Sequence, residues 1–487
     1  MPGEAVALIR DIDLFEQVER WFRERHQVRV QFAGDAAAAL EQLRQQRVPT
    51  LLLDCRPEYC DGEAVRLFDR LNDAGLTGLN LVTIGQSILP VSIASKIDLL
   101  ALEHIPVEAH GIRWDVVAER LPRIVTALRA RVLPRCFHAE AGGVAITTYT
   151  PEFFPCLEDL LRVTHRDVTL LLVGETGTGK TTLARFIHNR SPRRDRAFQH
   201  LACGTLPSDL IESELFGHTR GAFTGAERNK IGRFQAAGHG TLLLDEIDVL
   251  DLKQQVKLLR VIETGEYELV GSTETHVSEA RLIVASNVNL EELVAAGQFR
   301  SDLYYRLNVL EFHLPALRNR PLDIVPLAVQ FIEESCREHN ISVKGVHRDF
   351  LACLKKYRWP GNLRELKNHI RRAVLFCETD CLTVNDLSPK IVQAQFQEDP
   401  PVPTPSLPED TAPPPPPAAP TRSNGHPEEP IRAHTIADRV AQTEREFLEQ
   451  ALRQNGNNRT RTAQALGLSR VGLYKKLRRL GLMGCSE

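Results

Sequence analysis

The residues best placed to do chemistry stand in two short runs. Gly174-Glu175-Thr176-Gly177-Thr178-Gly179-Lys180-Thr181 follows the apolar stretch Val168–Val173 and opens the helical sequence T-L-A-R-F-I-H. Glycines at this spacing let backbone N–H groups converge on phosphate oxygens, the following helix start favours their charge, and Lys180 reaches the terminal phosphates. Thr181 offers a hydroxyl to Mg²⁺. The second run, G-T-L-L-L-D-E-I, ends an apolar strand in Asp245 and Glu246, at the strand end where α/β sheets bind ligands. Two carboxylates there divide the work: Asp245 holds the metal through water, and Glu246 polarises an attacking water. The chemistry expected is hydrolysis of a nucleoside triphosphate, ATP with Mg²⁺. A plain Gly-rich turn and a solvated acid pair are the bland alternatives, and finding both runs in one chain disfavours them.

These groups need a frame to position them. Very apolar strands at Val168–Val173, Thr241–Leu244 and Arg281–Ala285 read as buried parallel strands. Ahead of them, Ala5–Ile9, Leu14–Arg25, Val28–Phe32, Ala36–Gln46, Thr50–Leu53, Ala64–Asn72, Leu79–Ile84 and Leu99–His104 alternate strand and helix, the rhythm of a doubly wound sheet. The stretch A-G-G-V-A-I-T-T-Y-T near 130–150 interrupts helical periodicity and marks a soft boundary. Residues 400–430 carry 13 of the 29 prolines, including Pro413–Pro417, a composition that cannot keep up helix or sheet hydrogen bonding. They form a linker and isolate a tail.

The bulk numbers fit several modules. A chain of 487 residues exceeds one ordinary core, and 43% hydrophobic with 25% charged residues is globular composition. The start lacks the basic and long apolar segments of a signal peptide, and no apolar run reaches the roughly 18 residues of a membrane span. A cytoplasmic protein without membrane contact is expected, its ten scattered cysteines reading as buried thiols. A net charge of −3 argues against nucleic acid only if charge is spread evenly. It is not: residues 459–479 hold seven Arg or Lys and no acid.

Between the two nucleotide runs lies E-S-E-L-F-G-H-T-R-G-A-F-T-G-A, Glu212 to Ala226. A small-residue loop bearing one Phe223 within an otherwise helical stretch suggests a contact tip. Here the sequence resembles the sigma-54-dependent transcriptional activators, bacterial enhancer-binding AAA+ proteins, over about residues 150–390. The resemblance implies that Gly221, Ala222, Phe223, Thr224, Gly225 and Ala226 contact sigma-54. It implies a sensor at Asn287 (V-A-S-N), arginine fingers at Arg300 and Arg306 (Q-F-R-S-D-L-Y-Y-R-L), and a second sensor at Arg364 in W-P-G-N-L-R-E-L. Fingers supplied by a neighbouring subunit stabilise charge on the transferring phosphoryl, which implies self-association from dimer to hexamer ring. Two departures stand out. Thr181 replaces the family's usual Glu, and Ala202 replaces an Asn that couples the catalytic Glu to the contact loop.

The tail's N-N-R-T-R-T-A-Q-A-L-G-L-S-R-V-G-L-Y-K-K-L-R-R-L reads as a helix ending at Gly467, a tight turn and a second helix capped by Ser469. It resembles a Fis-type helix-turn-helix. Arg459, Arg461, Ser469, Arg470, Gly472, Tyr474, Lys475 and Lys476 would then face double-stranded DNA at an upstream activator site. At the other end, T-L-L-L-D-C-R-P resembles a response-regulator receiver with Asp54 as candidate phosphoacceptor. A receiver's acid pair becomes Arg10 and Asp11, and its Lys becomes Ile105. A pseudo-receiver and a working phosphoacceptor both stay open.

The fold class expected is α/β: a receiver-like doubly wound domain at 1–130, an AAA+ P-loop NTPase domain with helical lid at 146–390, a Pro-rich linker at 395–432, and an all-α C-terminal helix-turn-helix at 433–487. The function implied is promoter opening by remodelling sigma-54 RNA polymerase. The alternative is a nucleotide-binding repressor or scaffold.

Overall fold

A computed structural model describes residues 4–56, 62–71, 78–108 and 134–394, with isolated positions 76, 111–112, 114 and 132. The linker and tail, with Arg459, Arg461, Ser469, Arg470, Gly472, Tyr474, Lys475 and Lys476, lie outside the described residues.

The first 112 residues alternate strand and helix. They run β1 (Glu4–Leu8), α1 (Ile12–His26), β2 (Arg29–Phe32), α2 (Ala36–Gln45), β3 (Thr50–Asp54), α3 (Gly62–Leu71), β4 (Asn80–Gly85), β5 (Ile88–Pro90), α4 (Val91–Leu100), β6 (Ala101–Glu108) and β7 (Gly111–Ile112). The main sheet has the order β2-β1-β3-β4-β6-β7, parallel except for β7. Alternate side chains of β1 and β3 serve opposite faces: Val6, Leu8, Leu51 and Leu53 join one core, Ala5, Ala7 and Leu52 the other. Helix α1 starts where the Asp11 carboxylate accepts from Leu14 N at 3.1 Å, an N-cap. The periodicity reading missed α4, whose buried Val91, Ile93, Ala94, Ile97 and Leu99 are spread round the helix among Ser92, Ser95, Lys96 and Asp98, so that no clear apolar stripe forms.

The central part begins with a hairpin, β8 (Phe137–Ala141) and β9 (Val144–Thr148), turned at Gly142-Gly143 with both φ positive. Within the stretch read as a soft boundary, residues 137–148 form this hairpin, and its strands pack onto the next core. Then follow α5 (Phe154–Val163), β10 (Leu170–Val173), α6 (Lys180–Arg190), β11 (Phe198–Ala202), α7 (Ser208–Phe216), β12 (Gly217–His218), β13 (Lys230–Ile231), α8 (Arg233–Ala237) and β14 (Thr241–Asp245). The run continues with α9 (Leu252–Thr264), β15 (Glu266–Glu268), β16 (Thr275–Val277), β17 (Arg281–Ser286), α10 (Leu290–Ala295), α11 (Ser301–Leu307) and β18 (Glu311–His313). The parallel sheet runs β11-β14-β17-β10-β18. Leu171, Leu242, Leu244 and Val284 pack to one side and Leu170, Leu172, Leu243 and Ile283 to the other. Both faces are covered, which explains why these strands read as unbroken apolar runs.

A helical lid closes this part: α12 (Pro321–His339), β19 (Gly345–His347), α13 (Arg348–Lys356), α14 (Asn362–Phe376), β20 (Cys381–Leu382) and α15 (Pro389–Gln393). The lid core is continuous with the β1–β3 core of the first part, through Ile93, Ala94 and Ile97 of α4. Strand β5 pairs antiparallel with β19, so a strand of the receiver-like part completes a three-stranded sheet of the lid. Gly345 is required there, because a Cβ would sit 2.7 Å from Ile88 Cγ2. Arg348 reaches from the lid to donate to Thr83 Oγ1 at 2.9 Å, and Lys355 pairs with Asp98 at 3.0 Å. No helix among the described residues is long and apolar enough to cross a membrane. Cys55, Cys203 and Cys353 are buried as expected; Cys136 is exposed and Cys156, Cys336, Cys377 and Cys381 are intermediate.

Candidate functional site

Strand β10 delivers the chain at Gly174 into a tight loop that ends in the first turn of α6. Gly177 and Gly179 hold φ of +81° and +104°, conformations an L side chain resists. A Cβ at Gly174 would sit 2.7 Å from Leu314 O. The sequence thus spends its glycines where backbone must curl or touch backbone. Thr178 Oγ1 donates to Glu175 O at 2.8 Å and closes the loop from within. Buried Lys180 donates from Nζ to Gly174 O (2.6 Å), Glu175 O (3.1 Å) and Asn287 Oδ1 (2.8 Å). Burial draws its pKa down, while Asp245, Asp248 and Glu246 pull it back up.

Strands β14 and β17 bring the acids and the amide to the same rim. Thr181 Oγ1 donates to Asp245 Oδ2 at 3.0 Å, and His200 Nε2 lies 3.6 Å from that oxygen. Burial pushes the Asp245 carboxyl up, but His200, Thr181 and the Lys180 charge hold it below the usual range. Hydroxyl and carboxylate oxygens side by side make a hard donor set that fits Mg²⁺. Glu246 sits in the left-handed region at φ 58°, ψ 49°, a strained backbone for a non-glycine residue. Its Oε1 accepts from Asn287 Nδ2 at 3.3 Å. A Cβ on Gly204 would lie 1.9 Å from Glu246 Oε2, so the carboxylate occupies space that only glycine leaves. Asp248 accepts from Ser286 Oγ and Asn287 N, both at 3.1 Å, and fixes the strand end that carries Asn287.

Lys180, Thr181, Asp245, Glu246, Asn287 and Arg364 line one cavity of about 450 Å³, together with Thr176, Gly177, Thr178 and Gly179. Ile146, Phe153, Leu157, Leu314 and Leu327 add apolar lining, beside Arg320 and Gln330, a surface suited to a flat base. Glu175 does not line it and faces the lid instead. Arg300 and Arg306 lie outside their own chain's cavity, exposed and paired with Asp302 (2.6 Å) and Glu263 (3.0 Å). Four contributors escaped sequence reading: His200, Asp248, Arg318 and Asn362. Only Asp248, three residues beyond Asp245, had a readable signal.

The Gly221–Ala226 segment is the tip between β12 and β13, so strands rather than helix flank it. Gly221 N donates to Ala226 O at 2.8 Å, and Gly221 and Gly225 hold φ of +84° and +104°. Phe223 is 38% exposed, its ring edge-on to His218 at 4.9 Å. Gly271, beyond β15, lets Ala222 approach, since a Cβ there would lie 2.6 Å from Ala222 Cβ.

In the receiver-like part, Asp54 is buried and engaged. Arg56 donates to Asp54 from Nη2 (2.8 Å) and Nε (3.1 Å), and from Nη2 to Asp11 Oδ2 (3.1 Å). Burial disfavours the guanidinium charge, yet these bonds raise the Arg56 pKa above its ordinary value. A cation built into the chain thus stands between the two acids. Ile105 is fully buried.

The chain matches the Sigma-54 interaction domain over residues 146–313, the AAA+ ATPase lid domain over 318–403 and the bacterial regulatory protein Fis family over 439–480. It is 43% identical over 272 residues to the alginate biosynthesis transcriptional regulatory protein AlgB of Pseudomonas syringae pv. tomato, covering 54% of this chain and 61% of that one. It is 42% identical over 277 residues to the Nif-specific regulatory protein of Azospirillum lipoferum, covering 57% of this chain and 44% of that one. In both cases the match spans less than two thirds of the relative. The hydrogenase transcriptional regulatory protein HoxA of Cupriavidus necator is 39% identical over 415 residues, covering 84% of this chain and 80% of that one. A phosphate loop, an acid pair and a glycine-hinged tip on one parallel sheet, with a likeness that extends over most of HoxA, place the chain in the family of sigma-54-dependent transcriptional activators.

Proposed function

We propose that this protein hydrolyses ATP in a self-assembled ring and uses the cycle to remodel sigma-54 RNA polymerase at promoters, anchored to upstream double-stranded DNA by residues 433–487. The observation that carries the reading is the joint lining of one cavity by Lys180, Thr181, Asp245, Glu246, Asn287 and Arg364.

In this reading the loop N–H groups and Lys180 hold the phosphates, and the apolar lining takes the base. Thr181 and Asp245 hold Mg²⁺, which when bound supplies charge neutralisation at the phosphate oxygens. Glu246 accepts the proton of the attacking water, with Asn287 orienting its carboxylate. Arg300 and Arg306 leave their present partners to reach a neighbouring subunit's phosphates; their exposure supports that role. Gly221–Ala226 contains no charged or metal-ligating side chain, so its work is contact. The Asn287–Glu246 bond supplies an amide where Ala202 offers none, which favours a working motor over the repressor reading. Asp54 is read as structural rather than as a phosphoacceptor, because Arg56 already neutralises it.

The test is Thr224→Ala in the full-length protein. It should leave ATP hydrolysis and DNA binding near wild type, while abolishing capture of sigma-54 with ADP and aluminium fluoride. Undiminished capture would remove the contact role from this loop and make the repressor reading the better one.

A further inference from the structure

The phosphate loop is bonded to the lid on the side facing away from the cavity. Arg318 holds the Glu175 carboxylate as a two-pronged fork, Nη1 to Oε2 at 2.8 Å and Nη2 to Oε1 at 2.5 Å. Asn362 Nδ2 donates to Glu175 Oε2 (3.2 Å) and to Thr176 O (3.0 Å), while its Oδ1 accepts from Leu317 N (2.7 Å). Leu363 N donates to Gly177 O at 2.9 Å. Asn362 is fully buried, and one side chain thus ties the loop, the segment before α12 and the start of α14 together.

The lid turn is held under strain. Trp359 and Asn362 have φ of +52° and +50°, the left-handed region for two non-glycine residues within four positions. Such conformations persist only where the surroundings over-determine them. Trp359 is fixed by complete burial and by donation from Nε1 to Leu354 O at 2.8 Å. Asn362 is fixed by the loop itself. The turn leads directly to Arg364, whose Cβ lies 3.2 Å from where a Gly177 Cβ would stand. The Glu175 carboxyl is drawn down to about 2, foremost by Arg318 and against the opposing effect of burial, with Asn362 adding to the pull. Its charge is therefore spent on the lid.

We propose that Glu175, Arg318 and Asn362 form a latch that makes phosphate-loop shape and lid position a single equilibrium, with Asn362 as the positioning residue that sets Arg364 over the phosphates. The inference rests on the reading of the cavity as a nucleotide site. It goes beyond that reading by assigning work to three side chains that do not touch the nucleotide. An amide is suited to the hub because it donates twice and accepts once at the same place, which a carboxylate or an apolar side chain of that size does not do. The fork suits a latch because a planar guanidinium fixes direction as well as distance.

The experiment compares full-length wild type, Asn362→Asp, Arg318→Met and Arg318→Lys in steady-state ATP hydrolysis, each also in an Arg364→Ala background. Asn362→Asp keeps the acceptor for Leu317 N and tolerates a left-handed backbone, but turns both donors into a carboxylate facing Glu175. It should lower kcat about tenfold or more, as expected for displacing a positioned group by around an ångström. Arg318→Met changes a half-exposed side chain and should raise KM for ATP by roughly five- to tenfold, with Arg318→Lys recovering part of that loss. In the Arg364→Ala background Asn362→Asp should change kcat by less than about twofold, because groups acting as a unit are not additive. Full additivity would overturn the positioning role. Wild-type KM and kcat in both Asn362→Asp and Arg318→Met would overturn the latch. Should Asn362→Asp fail to fold, the Arg318 pair decides alone. Normal nucleotide binding by Lys180→Ala would instead count against the nucleotide site itself, which separates the two failures.

Discussion

Replacing Gly177 by alanine perturbs the site at one atom and can be worked through from the structure. The residue has φ +81°, and an added Cβ would meet Gly361 O at 2.4 Å and Arg364 Cβ at 3.2 Å. Holding an L residue in the left-handed region costs about 1–2 kcal/mol. The overlap with a backbone carbonyl cannot be relieved by a rotamer change, so the lid turn must move and the Leu363 N to Gly177 O bond is lost, at about 1 kcal/mol more. Gly179→Ala is the control. Its φ is +104°, but its Cβ would meet only Leu363 Cδ1 at an ordinary 3.4 Å, so it carries backbone strain without the collision. Titration calorimetry with a slowly hydrolysed ATP analogue should show Gly179→Ala weakened by roughly 5- to 30-fold and Gly177→Ala by a further factor of about 5. Equal affinities would mean that the lid does not press on the loop.

Lys180→Ala should bind nucleotide beyond the reach of calorimetry, whereas Glu246→Gln should bind normally and lose about 10²–10⁴ in kcat, since the amide keeps its contact with Asn287 but accepts no proton; near-equal turnover of Glu246→Gln and wild type would refute the base. Asp54→Asn should leave promoter activation near wild type and lower stability by about 1–3 kcal/mol, as it weakens a buried ion pair; a large loss of activation with the fold intact would restore a phosphoacceptor. His104 lies beside Thr83 Oγ1 at 3.1 Å, and burial foremost, then the Arg348 charge, depresses its pKa to about 3. Between pH 6.5 and 3 the unfolded chain therefore takes up a proton that the folded chain refuses. This contribution is present above pH 6.5 and is lost as pH falls, by at most about 1.4 kcal/mol per unit. His104→Asn should flatten the denaturation midpoint against pH below 6.5, and an unchanged slope would show that other groups set it.

The two nucleotide runs were legible because their chemistry is local: glycine spacing, a lysine and a hydroxyl at fixed offsets, and acids at the end of an apolar strand. The inner strands β10, β14 and β17 were legible for a related reason, since burial on both faces writes itself as unbroken apolar runs, whereas the half-buried edge strands β11 and β18 were not. Helix α4 was missed because its five buried apolar residues alternate round the helix with Ser92, Ser95, Lys96 and Asp98, which leaves no readable amphipathic period. The Gly142-Gly143 pair marks a turn in the sequence, but not the two strands it joins or the core they pack on.

By itself, then, the sequence determined which backbone could curl around a phosphate, which strand ends could carry acids and which loop is without charged or metal-ligating side chains, because bonding geometry and side-chain chemistry act over a few residues. Tertiary structure alone decided the pairings across long separations. Arg56 on Asp11, Asn287 on Glu246, Arg318 and Asn362 on Glu175, and Arg348 on Thr83 join residues from 41 to 265 positions apart. In each, an ordinary polar residue gains its meaning from a partner that only the packed core brings within 3.3 Å, and no local pattern encodes which partner that will be.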